Sequence, residues 1–185
     1  MAGIGHNGGP EMAGVAWRKH CWSAARARLL PVLPIEVARM RVRRAAELGL
    51  DYKTYAGVRA ATGHDVVAFL FSSNALRVDA KARIPQAEAA RLSALTSAGR
   101  IALAQTVTPE RLAAVNADVL DSAHAAPRPY ASFGQAAASL REALGKLPGD
   151  QVVLIASDAP WEREWLMAGK LAALLPADRY FARAV

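Results

Sequence analysis

Two short apolar runs constrain the fold of this chain more than any other feature. Residues 66–71, VVAFLF, contain only apolar side chains, and residues 151–157, QVVLIAS, are apolar except at their ends. A strand that is apolar on both sides has to be covered on both faces, as happens in parallel sheets flanked by helices. We therefore expect both runs to be strands inside such a sheet.

The segments around these runs alternate between helical and strand patterns. Three helices are expected to begin at Pro85, Pro109 and Pro160, because the first helical turn tolerates a residue without an amide hydrogen. The predicted strands are residues 66–71, 100–107, 151–157 and 179–185, and the predicted helices are residues 17–30, 35–48, 52–61, 85–99, 109–123, 132–147 and 160–175. This order predicts an α/β fold, a small and mostly parallel sheet with helices on both faces, preceded by a basic helical segment.

We expect three parts along the chain. Residues 1–13 form a flexible glycine-rich arm, since they lack the apolar side chains that would offset the entropy of ordering glycine. Residues 14–63 form the basic helical segment, and residues 64–185 form the small α/β domain. The predicted helix at residues 52–61 leads into the first strand through a short link, so it can also pack on the sheet.

The positive charge is concentrated near the front of the chain. The net charge is +7, and residues 1–62 hold ten Lys and Arg against four Asp and Glu, whereas the remaining residues are almost balanced. Such asymmetry favours contact with nucleic acid, an anionic surface or an acidic partner. The alternative is that the arginines only keep the helices in solution.

Residues 41–60, RVRRAAELGLDYKTYAGVRA, resemble the DNA-binding helix-turn-helix pattern. Ala45 supplies the small residue at the fifth position, and Gly49 supplies the turn glycine at the ninth. The apolar positions are filled by Leu48, Leu50, Tyr55 and Val58. Arg44 departs from the pattern, because an apolar residue is expected at the fourth position. The alternative is a helical hairpin that packs against the sheet.

The concentrated positive charge, together with this resemblance, predicts a basic surface that contacts DNA or RNA through residues 14–62. The side chains expected to contact phosphates are Arg39, Arg41, Arg43, Arg44, Lys53 and Arg59. Binding of this kind weakens as salt rises, because each phosphate contact releases counterions.

A second candidate site follows from the predicted sheet. Ligands of open parallel sheets bind beyond the carboxyl ends of the strands. The polar residues expected to line a pocket there are Ser72, Asn74, Thr106 and Asp158. The alternative is that they are ordinary turn and cap residues. The chain has no glycine-rich phosphate loop, no nucleophile elbow and no metal-ligand spacing, so we expect no catalytic residue, no metal and no cofactor.

Cys21 is the only cysteine, so no intrachain disulfide can form, which agrees with a reducing cytoplasm. The sequence has neither a run of about 18 apolar residues nor a signal-peptide pattern, so we expect no membrane partner.

The arm contains IGHNGGP at residues 4–10, which resembles a short N-terminal motif of otherwise dissimilar bacterial and phage-linked proteins. The stretch LPIEVARMRVRRAAELGLDYKTYAGVRAATGHDVVAFLFSSNALR, residues 33–77, is similar to uncharacterised bacterial proteins. This resemblance brings no known activity. If the motif is portable, we expect it to be a docking peptide for a protein partner; the alternative is an unstructured leader.

These observations favour a non-catalytic protein that associates with nucleic acid or an acidic partner through its basic helical front. One alternative is a small-molecule or nucleotide-binding enzyme or sensor with a pocket at the strand ends. Another is a structural subunit of a larger assembly. An exposed pair of Trp161 and Trp165, four residues apart on one helix, would favour the assembly.

Overall fold

The computed structural model describes residue 21 and residues 33–182. The chain divides into two compact units, Met1–Ala38 and Arg39–Val185. The predicted arm at residues 1–13 lies outside the described residues, and so does the predicted helix at residues 17–30 apart from Cys21, which is helical and exposed. The sheet and the candidate site both belong to the second unit.

A five-stranded sheet forms the centre of the second unit, and every strand pair in it is parallel. The strands are β1 (Ala68–Ser72), β2 (Gly99–Ala104), β3 (Ser122–Ala125), β4 (Val152–Ala156) and β5 (Ala173–Pro176). Their order across the sheet is β3-β2-β1-β4-β5. The predicted α/β fold with a parallel sheet is therefore confirmed.

Helices precede, connect and follow these strands. They are α1 (Ile35–Glu47), α2 (Tyr52–Thr62), α3 (Gln86–Ser93), α4 (Pro109–Val115), α5 (Phe133–Leu144), α6 (Pro160–Ala168) and α7 (Ala177–Phe181), and a short 3-10 turn, Gly149–Gln151, precedes β4. Local capping explains several of the helix starts, since Asp51 accepts a hydrogen bond from the Thr54 amide at 2.6 Å, and Ser132 and Gln135 form a capping box. No helix in the described part of the chain has the length and hydropathy of a transmembrane segment.

Helices cover both faces of the sheet, which is why β1 and β4 are buried along their whole length. On one face, Phe69 of β1 shares a core with Tyr55 of α2 and Tyr180 of α7. On the other face, Leu70 of β1 shares a core with Trp165 of α6. The continuous apolar run of β1 thus reflects burial on two sides, as the sequence predicts.

The prediction of one helix over residues 109–123 is wrong, because α4 ends at Val115 and residues 122–125 form β3. The sequence of β3 is SAHA, and its residues are half-buried or exposed. An edge strand of this kind needs no apolar run, and therefore it leaves no clear strand pattern in the sequence.

The end of the chain also differs from the prediction. Helix α6 ends at Ala168 rather than continuing to residue 175, and residues 173–176 form β5. Residues 177–181 are helical, although residues 179–185 were expected to form a strand. Leucine and alanine favour helices, so the sequence KLAALL continues the helical pattern. The chain instead leaves α6 through Gly169 and through Lys170, whose φ is 50°.

Helices α1 and α2 form a tight hairpin around Gly49, whose φ is 64°. This left-handed backbone conformation requires a residue such as glycine. Ala45 of α1 and Val58 of α2 are buried in the same core as Phe69 of the sheet. The hairpin therefore packs as part of the sheet unit, whereas the predicted domain boundary lies between residues 63 and 64.

The strand order places a topological switch point between β1 and β4. From β1 the chain passes through α3 to β2 on one side, and from β4 it passes through α6 to β5 on the other. Loops that leave neighbouring strands in opposite directions open a crevice at the carboxyl edge of the sheet. The residues that follow β1 and β4 border this crevice.

Candidate functional site

Arg44 lies near the amino ends of β1 and β2, and its guanidinium is used within the fold. Its Nε donates to Oδ2 of Asp65 at 3.0 Å, its Nη2 to the carbonyl oxygen of Val66 at 2.9 Å, and its Nη1 to Oγ of Ser97 at 2.6 Å. These polar partners explain how an arginine occupies a position where the helix-turn-helix pattern expects an apolar residue.

The carboxylate of Asp65 lies at the centre of this group of contacts. It accepts hydrogen bonds from the Tyr55 hydroxyl at 2.8 Å and from the Val66 amide at 2.9 Å, and Arg59 lies 3.9 Å away. Burial acts to raise the pKa of Asp65, but the hydrogen bonds from Tyr55, Val66 and Arg44 outweigh burial and lower it. Arg44 and Arg59 therefore balance a carboxylate of the fold.

The other predicted phosphate contacts differ in their exposure. Arg39, Arg43 and Lys53 are exposed, whereas Arg41 is half-buried. Within the described residues, Nε of Arg41 is buried and has no hydrogen-bond partner. The six basic residues thus do not form one uniformly accessible surface, and phosphate contact by them stays a prediction.

At the carboxyl edge, two serines shape the end of β1. Ser72 is fully buried, and its Oγ accepts a hydrogen bond from the Ala75 amide at 3.0 Å. Ser73 is also buried, and its Oγ accepts from the Gln105 amide at 3.1 Å. Ser73 therefore connects the end of β1 to the end of β2. Ser72 stabilises the turn that follows β1.

Glu162 is the most unusual residue at this edge, because its carboxylate is completely buried. Its Oε1 accepts hydrogen bonds from Nδ2 of Asn74 at 3.0 Å and from Nε2 of Gln105, and its Oε2 accepts from the Ser157 amide at 2.6 Å. We call Asn74, Gln105, Ser157 and Glu162 the Glu162 cluster. It joins the ends of β1, β2 and β4.

None of the three groups that donate to Glu162 carries a positive charge, since they are two side-chain amides and one backbone amide. Glu162 lies in the first turn of α6, where the helix N-terminus favours a negative charge. A buried carboxylate has to be fully hydrogen-bonded to be tolerated. The cluster therefore holds the amides of Asn74 and Gln105 in fixed orientations.

Two aromatic side chains extend the cluster toward solvent. Nε1 of Trp161 donates to Oε1 of Gln105 at 3.2 Å, and the same oxygen accepts from Asn74 at 3.1 Å. The ring of Tyr130 meets the Trp161 ring edge-on, with 5.9 Å between their centroids. Tyr130 is 84% exposed and has a φ of 58°, which is uncommon for a bulky residue.

A cavity of about 170 Å³ opens beside the cluster, at the ends of β1, β4 and β5. Its polar lining comes from Asn74, Arg77, Ser157, Asp158 and Asp178. Two of these residues, Asn74 and Ser157, also belong to the Glu162 cluster. The cavity and the cluster therefore form one continuous region, which we call the strand-end site.

Arg77 supplies the positive charge of the cavity lining. Its Nη2 lies 3.0 Å from Oδ1 of Asp178, and its Nη1 lies 3.4 Å from Oε1 of Glu88, whose side chain is 5% exposed. Arg77 has a φ of 52°, so its backbone is in the left-handed region. The two carboxylates hold the guanidinium at the rim of the cavity.

The structure brings together two of the four predicted pocket residues. Asn74 and Asp158 both line the cavity, whereas Ser72 is buried behind the turn and Thr106 is exposed outside the lining. Trp161 and Trp165 do not form the exposed pair that would favour a larger assembly, since Trp165 is buried in the core and Trp161 is half-buried at the sheet edge.

Sequence reasoning missed Glu162 and Tyr130 as members of the site. A carboxylate in the first turn of a helix commonly complements the helix dipole, so Glu162 does not stand out in the sequence. Glu164 is exposed, but Glu162 faces the sheet edge and is buried. One signal in the sequence could have found Glu162: it lies two residues after Pro160, at the start of a helix that follows a buried strand directly.

No protein-family model, no curated protein and no solved structure matches this chain. Among the described residues, no group of three or more His, Cys, Asp or Glu side chains could hold a metal ion. The resemblance based on IGHNGGP and on residues 33–77 stays a prediction. Function is therefore inferred from the residues of the strand-end site and of the basic front.

Proposed function

We propose that this protein binds a small polar ligand at the strand-end site. The observation that carries the proposal is the Glu162 cluster, in which a fully buried carboxylate joins three strand ends at the topological switch point. Open parallel sheets bind ligands at this place in the fold. Binding, rather than a particular reaction, is what the arrangement supports.

The cluster has the properties of a preorganised recognition surface. Glu162 occupies Nδ2 of Asn74 and Nε2 of Gln105, so neither amide is free to rotate. In the described residues, no donor is hydrogen-bonded to Oδ1 of Asn74, whose side chain is exposed. A fixed amide at the wall of an open cavity presents polar groups to a ligand without a further ordering cost.

The charges around the cavity favour a ligand with mixed polarity. Asp158 is an exposed carboxylate in the lining, and Arg77 is shared between Asp178 and Glu88. The carboxylate of Asp158 would repel a strongly anionic ligand, whereas it would attract a ligand that carries hydrogen-bond donors. We therefore expect donors on the part of the ligand that faces Asp158.

Thermal unfolding in the presence of a panel of nucleotides, sugars, amino acids and carboxylic acids tests this proposal. A ligand at 100 times its dissociation constant adds about 2.7 kcal/mol to stability. The shift should fall in Asn74→Ala and in Asp158→Asn. Asp118→Asn is the matched control, because Asp118 is exposed after α4 and does not line the cavity. Ligand shifts that persist in both site variants would contradict the proposal.

Association with nucleic acid through the basic front is the second candidate. Arg43 and Lys53 remain exposed on the hairpin, while Arg44 and Arg59 are engaged by Asp65. Replacing both exposed residues by alanine should make the slope of log K against log salt concentration shallower, by the amount expected for about two lost phosphate contacts. An unchanged salt slope would contradict this candidate.

A further inference from the structure

We propose that the ligand of the strand-end site carries an unpaired nucleobase, which stacks on Tyr130 and is read by the amides of Asn74 and Gln105. This inference rests on the proposed function, because it names the chemical class of ligand for the same site. Four observations lead to it: the exposure and backbone conformation of Tyr130, the support of Trp161, the fixed amides and the charge distribution.

Tyr130 exposes an aromatic ring that the fold does not need for its core. The side chain is 84% exposed, and among the described residues its ring contacts the Trp161 ring edge-on. A tyrosine with a φ of 58° is conformationally strained, and glycine would adopt the same backbone more easily. Strain of this kind at an exposed aromatic residue points to a function in binding.

Trp161 holds this ring in a defined place. Its own indole is fixed by the hydrogen bond from Nε1 to Oε1 of Gln105 at 3.2 Å. The planes of Tyr130 and Trp161 are inclined by 60°, so their contact leaves a face of the tyrosine ring open. Aromatic faces stack on any nucleobase, because every base has a π-face.

Gln105 connects this aromatic pair to Asn74, because its Oε1 accepts hydrogen bonds both from Nε1 of Trp161 at 3.2 Å and from Nδ2 of Asn74 at 3.1 Å. Among the described residues, Oδ1 of Asn74 accepts no hydrogen bond and Nε2 of Gln105 keeps one hydrogen, so the two amides offer one acceptor and one donor to the edge of a base. Because Glu162 and Trp161 fix the orientation of Gln105, the edge that it presents is defined before a ligand arrives.

The charges near the site indicate which part of a nucleotide supplies the affinity. Arg128 and Arg163 are exposed and stand two residues from Tyr130 and Trp161 in the sequence, but Asp158 lies in the cavity lining. A phosphate placed in the cavity would meet the carboxylate of Asp158, while Arg77 is already paired with Asp178 and Glu88. The base, rather than the phosphate, should provide most of the binding free energy.

The test is a calorimetric titration of the full chain with the four nucleoside 5′-monophosphates, the corresponding nucleosides, ribose 5-phosphate and a 12-nucleotide single strand. We expect at least one nucleoside to bind about as well as its monophosphate, and ribose 5-phosphate not to bind. Binding of the single strand but not of free nucleotides would identify nucleic acid as the source of the base. Failure of every base-containing probe would overturn the inference.

Variants of Tyr130 separate stacking from folding. Tyr130→Gly should weaken binding by roughly 5-fold to 150-fold, as expected for loss of one stacked base, without lowering Tm. Tyr130→Phe keeps the ring and should bind like the wild type. Phe133→Ala is the matched control, because Phe133 is also exposed and lies three residues further along the chain. Base binding that survives in Tyr130→Gly would overturn the stacking contact.

The same experiments distinguish this inference from the proposed function. If a ligand without a base stabilises the protein, and the effect depends on Asn74 and Asp158, the strand-end site is retained and the nucleobase is rejected. If bases bind, but neither the Asn74 nor the Tyr130 variant weakens that binding, both the strand-end site and the stacked nucleobase are rejected. Base binding that falls in both variants supports both.

Discussion

The guanidinium of Arg44 lies against the carboxylate of Asp65, with 3.0 Å between Nε and Oδ2. This pair connects the end of α1 to the segment that leads into β1, and Ser97 adds a contact from the segment before β2. An arginine that the sequence places on a nucleic-acid surface is thus a structural residue. The neighbouring Arg43 is exposed and serves as its natural comparison.

Replacing Arg44 by alanine should destabilise the protein by about 1–3 kcal/mol, because it leaves the carboxylate of Asp65 and the carbonyl of Val66 without this donor. Arg43→Ala should stay within about 0.5 kcal/mol of the wild type. Urea unfolding of the two variants measures the difference. Equal stability of both would show that the Arg44 contacts contribute little.

Replacing Glu162 by glutamine should destabilise the fold by about 1–3 kcal/mol. A glutamine has one acceptor oxygen, so it cannot accept from both the side-chain amides and the Ser157 amide, and at least one of these donors loses its partner. Glu164→Gln, on the exposed side of α6, is the control and should be nearly neutral. Denaturation midpoints that match for the two variants would contradict the importance of the cluster.

Gly49→Ala should be more destabilising than Gly63→Ala. Both glycines have positive φ, 64° and 77°, so both substitutions introduce backbone strain of about 1–2 kcal/mol. Only at Gly49 would the new Cβ lie 2.9 Å from Nη2 of Arg91, which also donates to the Gly49 carbonyl at 2.6 Å. Chemical denaturation of the two variants measures the extra cost of this contact. A larger loss of unfolding free energy in Gly63→Ala than in Gly49→Ala would contradict the prediction.

Asp121 should make stability depend on pH in the acid range. The side-chain hydrogen bond from Arg100, at 2.6 Å, lowers the pKa of Asp121, and partial burial opposes this without reversing it. A pKa that is lower in the folded state stabilises the protein above the unfolded value of about 3.9, and this contribution is lost as the pH falls through the folded value.

The stability difference between the wild type and Asp121→Asn should therefore be constant near neutral pH and should shrink below about pH 4. Urea unfolding at a series of pH values measures it. Asp118→Asn, which alters an exposed carboxylate three residues earlier, should give a small difference. A difference for Asp121→Asn that does not change with pH would mean that the pKa is not lowered.

The sequence predicts the centre of this fold better than its edges. Strands β1 and β4 lie within two residues of their predicted ends, because burial on both faces demands a continuous apolar run. The edge strands β3 and β5 carry no such demand. The four residues of β3 are small or polar, and the alanine and two leucines of β5 favour a helix.

The candidate site was predictable only in part, for a related reason. Asn74 and Asp158 follow buried strands, so the rule that ligands bind beyond strand ends finds them. Glu162 and Tyr130 reach the site through the orientation of α6 and of the loop after β3. Those orientations depend on packing between elements far apart in the sequence, which a local pattern does not encode.

The short edge strands have a consequence for how the protein behaves at high concentration. Within the described residues, β3 and β5 have four residues each, and β5 ends at Pro176, which has no amide hydrogen to donate. Long, flat, apolar edges are what allow sheets of separate molecules to join and form aggregates. The two most apolar strands, β1 and β4, lie inside the sheet, and each has a neighbouring strand on both sides. While the protein stays folded, these strands are therefore not available to pair with strands of other molecules.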